Sequence, residues 1–399
     1  MYRLLHALTA RSSVADLLLA WEDLREDLLE ETLTIQAIPA PTFAEQERAA
    51  YVERRFQALG LADVVQDDLG NVYGRTPGDD PSAPALLISA HLDTVFPAET
   101  DLTARREETR IYGPGVGDNS LGLAAMIALA EQISRRRLVP PVDIRWVATV
   151  REEGLGNLDG MRRACDRLGG QIGLAIVLEG MGLGRVYHAG LGVRRLRVVV
   201  KGPGGHSWLH NGRPSAIHHL LRMGAALVEE IQPPGEPRST FNIGLISGGV
   251  SINTRAPEAS LSVDLRSVDG EALAGLEESV RSVIRRYATP SLEISTEVIG
   301  DRPSAALPVN HPLVQAAIAA LDYAGFHAPL LEIGSTDANI LLANGIPTVC
   351  IGITTGGDAH TIREHIETTH LAAGMRQLTL LALLAAEHIE AWSDRDQNI

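Results

Sequence analysis

The chain has 399 residues, with 35 Lys and Arg against 50 Asp and Glu, a formal charge of −15. Hydrophobic residues at 45% and charged residues at 21% exclude disorder, collagen and coiled coil as descriptions of the whole. The acidic balance argues against nucleic acid as a partner, because phosphate recognition needs a basic stripe.

At roughly 150 residues per domain this length predicts about two or three domains. Two cysteines, Cys165 and Cys350, are too few for a disulfide framework or a Cys-rich zinc site and read as buried thiols. The first thirty residues lack an apolar core followed by a cleavage site, and no run approaches the ~18 apolar residues of a membrane span. The expected compartment is the cytoplasm, with no membrane partner.

In chain order, Leu17, Leu18, Trp21, Leu24 and Leu28 recur at helical spacing and predict a helix over 13–35. The stretch from Ile38 to Thr42 breaks it. Thr42 with Glu45 forms a capping-box pattern, opening a helix that should run to Gly60. Strands and helices then alternate. Residues 85–90, 144–150, 174–179 and 347–353 are apolar runs of strand length, and 121–133 reads as a helix. Continuous hydrophobicity suits strands covered by helices on both faces.

The middle reads differently. Strand 193–202, helix 214–231, strands 239–249 and 258–267, helix 270–288 and strand 291–299 give the order β-α-β-β-α-β, and 258–267 alternates as a sheet with one wet face does. This unit, 190–303, is read as an insert that divides the first domain into 1–189 and 304–399. Its first strand is apolar enough to need covering if it lies at the sheet edge.

Polar residues collect where the apolar runs stop. The first run leads into His91 and Asp93, the second into Arg151-Glu152-Glu153-Gly154, the third ends on Glu179, and the fourth is followed by His360. Asp118 stands in the Gly-rich turn GPGVGDNSLG, just before a helix. Ligands of open α/β sheets bind beyond the carboxyl ends of the strands. A lone His-x-Asp or Glu-Glu at a strand end is ordinarily a surface feature; four strand ends delivering such groups together are not.

His and carboxylates without thiolates suit zinc, manganese or cobalt in a catalytic site. Five candidate ligands, His91, Asp118, Glu153, Glu179 and His360, are too many for one ion with an open position and suit two divalent ions sharing a carboxylate. Glu152 is then free to take a proton from the attacking water, and Asp93 to hold the second nitrogen of His91. A P-loop, a G-x-G-x-x-G turn, a nucleophile elbow and H-E-x-x-H are all absent. His6, His188, His218, His219, His311, His327, His365, His370 and His388 lack strand-end partners and read as ordinary.

Taken in order, HLDTV, GPGVGDNSLG, REEG, VLEG, GGHS and AHTIRE resemble the M20 metallopeptidases, the group containing peptidase T, carboxypeptidase G2, succinyl-diaminopimelate desuccinylase and aminoacylase-1. The resemblance covers nearly the whole chain after about residue 35. It implies an α/β fold: a zinc-peptidase-like catalytic domain with a mixed sheet flanked by helices, plus an inserted ferredoxin-like lid that dimerises.

By motif, His91 and Glu179 match ligands of one metal, Glu153 and His360 of the other, Asp118 the bridge, Glu152 the general base and Asp93 the residue that orients His91. His206 matches a histidine that polarises the scissile carbonyl, often in the partner subunit's site. Asn253 and Arg266 match residues that hold a substrate carboxylate. Asn119 departs from the Asp-Asp-Lys many members carry after the turn glycine, and Glu179 is the longer of the two carboxylates used there.

The implied activity is a metallopeptidase, a hydrolase that cleaves an amide bond in short peptides with two divalent ions, zinc ahead of manganese or cobalt. The alternatives are an N-acyl amino acid deacylase with the same chemistry and a metal-binding scaffold without turnover. Expected partners are a short peptide or N-acyl amino acid and a second copy of the chain.

Overall fold

The computed structural model describes residues 1–393. The chain forms two compact units, one of Met1–Ala189 with the segment from Ala306 onward, the other of Gly190–Ala305. Within the first unit lies a nine-stranded mixed sheet. Its centre is four parallel strands in the spatial order Ile144–Thr149, Ala85–His91, Ile172–Met181 and Thr348–Thr354. Val72–Thr76 and Ala62–Gln66 extend one side antiparallel, and Arg185–Gly190 the other. Every residue of Ala85–His91 and of Thr348–Thr354 is buried, which is why these runs read as continuous rather than alternating hydrophobicity. Helices Leu121–Arg135, Pro312–Tyr323 and Leu371–Glu387 pack with the sheet strands. Parallel strands end on the same edge, so one side of the sheet receives His91, the 151–154 turn, Glu179 and the chain leading to His360.

Near the amino terminus the expectations need two corrections. The helix predicted over 13–35 is two helices, Ser12–Ala20 and Arg25–Gln36, preceded by a third, Tyr2–Thr9. Trp21 sits in the turn between them, buried, with its indole N–H donating to Thr379 Oγ1 at 3.0 Å, so a tertiary anchor overrides the helical period. The capping box is not formed either. The helix Gln46–Ala58 starts without a side-chain cap, because Thr42 donates to Asp93 Oδ2 (2.9 Å) and Glu45 Oε1 accepts from the amides of Phe43 (3.0 Å) and Arg151 (3.1 Å). Both residues serve the edge of the sheet instead. Cys165 is half-buried rather than buried; Cys350 is fully buried.

The second unit is an antiparallel four-stranded sheet in the order Ser239–Gly248, Glu258–Ser267, Gly192–Lys201, Glu293–Arg302. Helices Ala216–Glu230 and Gly270–Arg286 pack on it through Leu220, Met223, Leu227, Leu276 and Val280. Asp269 caps the second helix by accepting from Ala272 N at 2.8 Å. The first strand of the unit is paired on both sides, not at an edge. The apolar edge is Ser239–Gly248, which exposes Leu245 and Ile246.

Candidate metal centre

The site begins with the turn that carries Asp118. Gly115 adopts φ +71°, a left-handed conformation that glycine takes without steric cost. A β-carbon on Gly180 would lie 2.0 Å from the carbonyl oxygen of Gly117, so the turn and the strand Ile172–Met181 approach each other only because that side chain is missing. Asn119 ties the two together, its Nδ2 donating to Leu178 O at 2.7 Å. Under the turn, the Glu364 carboxylate accepts from three main-chain amides, Gly115 N (3.0 Å), Gly117 N (2.8 Å) and Asp118 N (2.9 Å).

Asp118 projects from this turn between two imidazoles. His91 Nε2 lies 3.0 Å from Oδ1, and His360 Nε2 lies 3.1 Å from Oδ2. The same His360 nitrogen is 3.0 Å from Glu153 Oε1, and His91 Nε2 is 3.7 Å from Glu179 Oε2. One ligand atom each from His91, Asp118 and Glu153 fall within 4.8 Å of one another. The structure thus brings all five sequence-predicted ligand positions into one cluster of nitrogen and oxygen donors. That donor set, with imidazoles on opposite oxygens of a single carboxylate, fits divalent ions of the zinc, manganese or cobalt type.

Asp93 organises the neighbouring strand ends. Its carboxylate accepts from Glu152 N and Glu153 N, both at 2.9 Å, and from the Thr42 hydroxyl. The nearest partner of His91 Nδ1 is the main-chain oxygen of Asp93 at 3.0 Å, with carboxylate Oδ1 at 3.6 Å. Glu152 and Glu153 are both buried, and Arg151 immediately before them is held at φ +59°. His360 is held at φ +63°. Such left-handed non-glycine residues cost about 1–2 kcal/mol each and concentrate where geometry serves function.

Charge and burial set the protonation of the cluster. Burial disfavours the ionised form of Asp118, but hydrogen bonds from His360 and His91 outweigh it and hold its pKa below the usual range. Burial also opposes protonation of His91, yet Asp118, Asp93 and Glu179 raise it well above an ordinary histidine. Hydrogen bonds to Asp118 and Glu153 raise His360 to about 10. Burial pushes Glu179 up to about 7.

Both imidazoles therefore carry protons at neutral pH that an arriving cation must displace. Binding should release about two protons per chain at pH 8 and a third, from Glu179, as pH falls through about 7, so the overall constant for a pair of ions weakens at least about 100-fold per unit between pH 8 and 6. Calorimetry in buffers of different ionisation enthalpy counts those protons; a count of zero would contradict this electrostatic picture.

His206, Asn253 and Arg266 belong to the second unit. His206 is exposed, and its Nδ1 accepts from Trp208 N at 3.2 Å, which leaves the proton of the neutral ring on Nε2. Asn253 is exposed, its Oδ1 accepting from Ser251 at 2.8 Å. Arg266 lies against Asp264 Oδ1 at 2.8 Å.

Sequence reasoning missed three residues that build the site: Thr42, Arg48 and Glu364. Arg48 is fully buried and donates to Ile38 O (2.7 Å) and Leu92 O (2.9 Å), fixing the chain between His91 and Asp93. Burial pulls its pKa down to about 10 against the attraction of Asp93 and Glu364. Nothing in a helical Glu-Arg-Ala pattern distinguishes it from a surface arginine. Glu364, by contrast, closes the AHTIRE motif and had a signal.

The chain is similar to known proteins over most of its length. Succinyl-diaminopimelate desuccinylase from Bordetella bronchiseptica is 25% identical over 388 residues, covering 92% of this chain and 98% of that one. Among solved structures, a tripeptidase from Staphylococcus aureus superposes with a TM-score of 0.74 at 24% identity, covering 91% of this chain and 99% of that one. A dinuclear metal-binding peptidase of the M20 family from Bacillus subtilis, the YXEP protein, gives 0.66 at 16% identity, covering 92% and 99%. These likenesses establish the fold. The family model of peptidase family M20/M25/M40 matches residues 87–384, from the strand that delivers His91 to the helix after His360, and the chain belongs to that family of hydrolases.

Proposed function

We propose that this protein cleaves an amide bond of a short peptide at a centre of two divalent ions, zinc ahead of manganese or cobalt. The observation that carries the reading is the Asp118 carboxylate with His91 on one oxygen and His360 on the other. His91 and Glu179 would hold one ion, His360 and Glu153 the second, and Asp118 both. Bound there, the ions polarise the scissile carbonyl and acidify the attacking water. Glu152, buried beside Glu153 with its amide fixed by Asp93, takes the proton of that water and returns it to the leaving nitrogen. Asp93 keeps His91 and the two glutamates in register. His206 offers its Nε2–H to the developing oxyanion, and Asn253 with Arg266 receive a substrate carboxylate, for which Arg266 must exchange Asp264 as its partner.

A deacylase acting on N-acyl amino acids uses the same groups. The desuccinylase relative supports keeping it as the second reading. A panel of dipeptides, tripeptides and N-acyl amino acids, run before and after chelation, decides between them: the expected result is chelator-sensitive turnover highest on short peptides. Turnover confined to N-acyl substrates would favour the deacylase, and none on any substrate with metal loaded would leave a scaffold.

We further infer a homodimer through the insert, supported by the exposed Leu245 and Ile246 on its edge strand. Sedimentation of a fully active monomer would remove it. No helix among the described residues is long and apolar enough to cross a membrane. With both cysteines free, a reducing cytoplasm is the compartment we infer.

A further inference from the structure

We infer that Glu364 is a positioning residue of the metal centre, setting the Asp118 turn before any ion arrives. The inference rests on the metal-centre reading above. Glu364 is 0% exposed, and a carboxylate so placed is costly unless its oxygens are hydrogen-bonded. Both oxygens are. Oε1 accepts from Gly117 N and Asp118 N, and Oε2 from Gly115 N, while the main-chain carbonyl of Glu364 accepts from Gly113 N at 2.9 Å. The single residue thereby gathers four amides of the 113–118 turn. Arg48, whose charge faces it, directs its own donors at Ile38 and Leu92, so Glu364 is held chiefly by main-chain N–H groups.

Chain position makes this arrangement specific to the site. Glu364 follows His360 by four residues, within a tight turn closed by Thr361 N to Asp358 O (3.2 Å) and Glu364 N to Thr361 O (3.1 Å). One short segment therefore grips Asp118 twice: His360 meets a side-chain oxygen, and Glu364 holds the amide of the same residue. The distance between two donors from remote parts of the sequence is fixed by this double contact rather than by an ion. A carboxylate is needed, because three N–H donors converge on two acceptor oxygens. The amide of a glutamine would turn its own NH₂ toward at least one of them.

The test measures Zn²⁺ affinity against a chromophoric chelator, with His91→Ala beside Glu364→Gln, and circular dichroism of the metal-free proteins. The expected result is that folded, metal-free Glu364→Gln binds Zn²⁺ about 10–100-fold more weakly than wild type, the usual cost of losing a residue that orients a ligand. Wild-type affinity in Glu364→Gln, with Zn²⁺ lost from His91→Ala, would overturn the role of Glu364 alone. Wild-type Zn²⁺ binding in His91→Ala would overturn the metal-centre reading beneath it.

Amide hydrogen exchange on the unmutated metal-free chain decides the matter even if the variant fails to fold. Protection of Gly115, Gly117 and Asp118 before Zn²⁺ is added supports the inference. Rapid exchange that slows only on Zn²⁺ addition overturns it, since the ion and not Glu364 would then order the turn.

Discussion

Glu152→Gln is expected to keep its fold and its full complement of metal while kcat falls about 10²–10⁴-fold, the range that positioned proton transfer contributes. The substitution is nearly isosteric, and the backbone of residue 152 stays fixed through its amide to Asp93 Oδ1. Glu153, the neighbour proposed as a ligand, keeps its own amide bond to Asp93 Oδ2 and its contact with His360. Only the capacity to accept a proton and give it back is removed, so KM should move little. Metal analysis with steady-state kinetics on the best substrate of the panel reads both quantities. A metal-loaded variant turning over at the wild-type rate would remove Glu152 from the role of base.

Replacement of Asp118 by alanine should do the opposite, abolishing metal retention and activity together. Its two oxygens serve different imidazoles, so no single-sided ligand can compensate. Glu179→Ala, which removes one contact to His91, is expected to weaken one ion only. The metal-free variant carries a second signature. With Asp118 gone, His360 loses the largest interaction that raises it, and its pKa should fall from about 10 toward the ordinary value of about 6.5. Imidazole titration followed by NMR measures that change. Retention of two ions in Asp118→Ala would contradict the shared ligand.

Legibility in the sequence followed the kind of interaction. The four parallel strands were readable because both faces are buried, leaving uninterrupted apolar runs. Four of the donors were readable because those strands lead to one edge, where His and carboxylates have no structural reason to gather, and Asp118 from the Gly-rich turn before its helix. What was not readable depends on contacts between distant segments. Thr42 and Glu45 have the spacing of a capping box, yet each is captured by a strand end, at Asp93 and Arg151. Trp21 fits a helical stripe, yet it stands between two helices with its indole bound to the distant Thr379. Arg48 acts through main-chain carbonyls that no pattern of side chains reveals. Periodicity reports which face is buried, and it is silent on which distant partner takes a polar group.

A carboxylate shared between two ions makes both of them necessary for turnover, and Asp118 is proposed as that carboxylate. Stripping the wild-type protein with a chelator, returning Zn²⁺ in measured steps, and following bound metal and peptide hydrolysis in one titration measures this requirement. Binding should saturate at two ions per chain, with full activity reached only as the second site fills. Saturation at one ion per chain with full activity would contradict it.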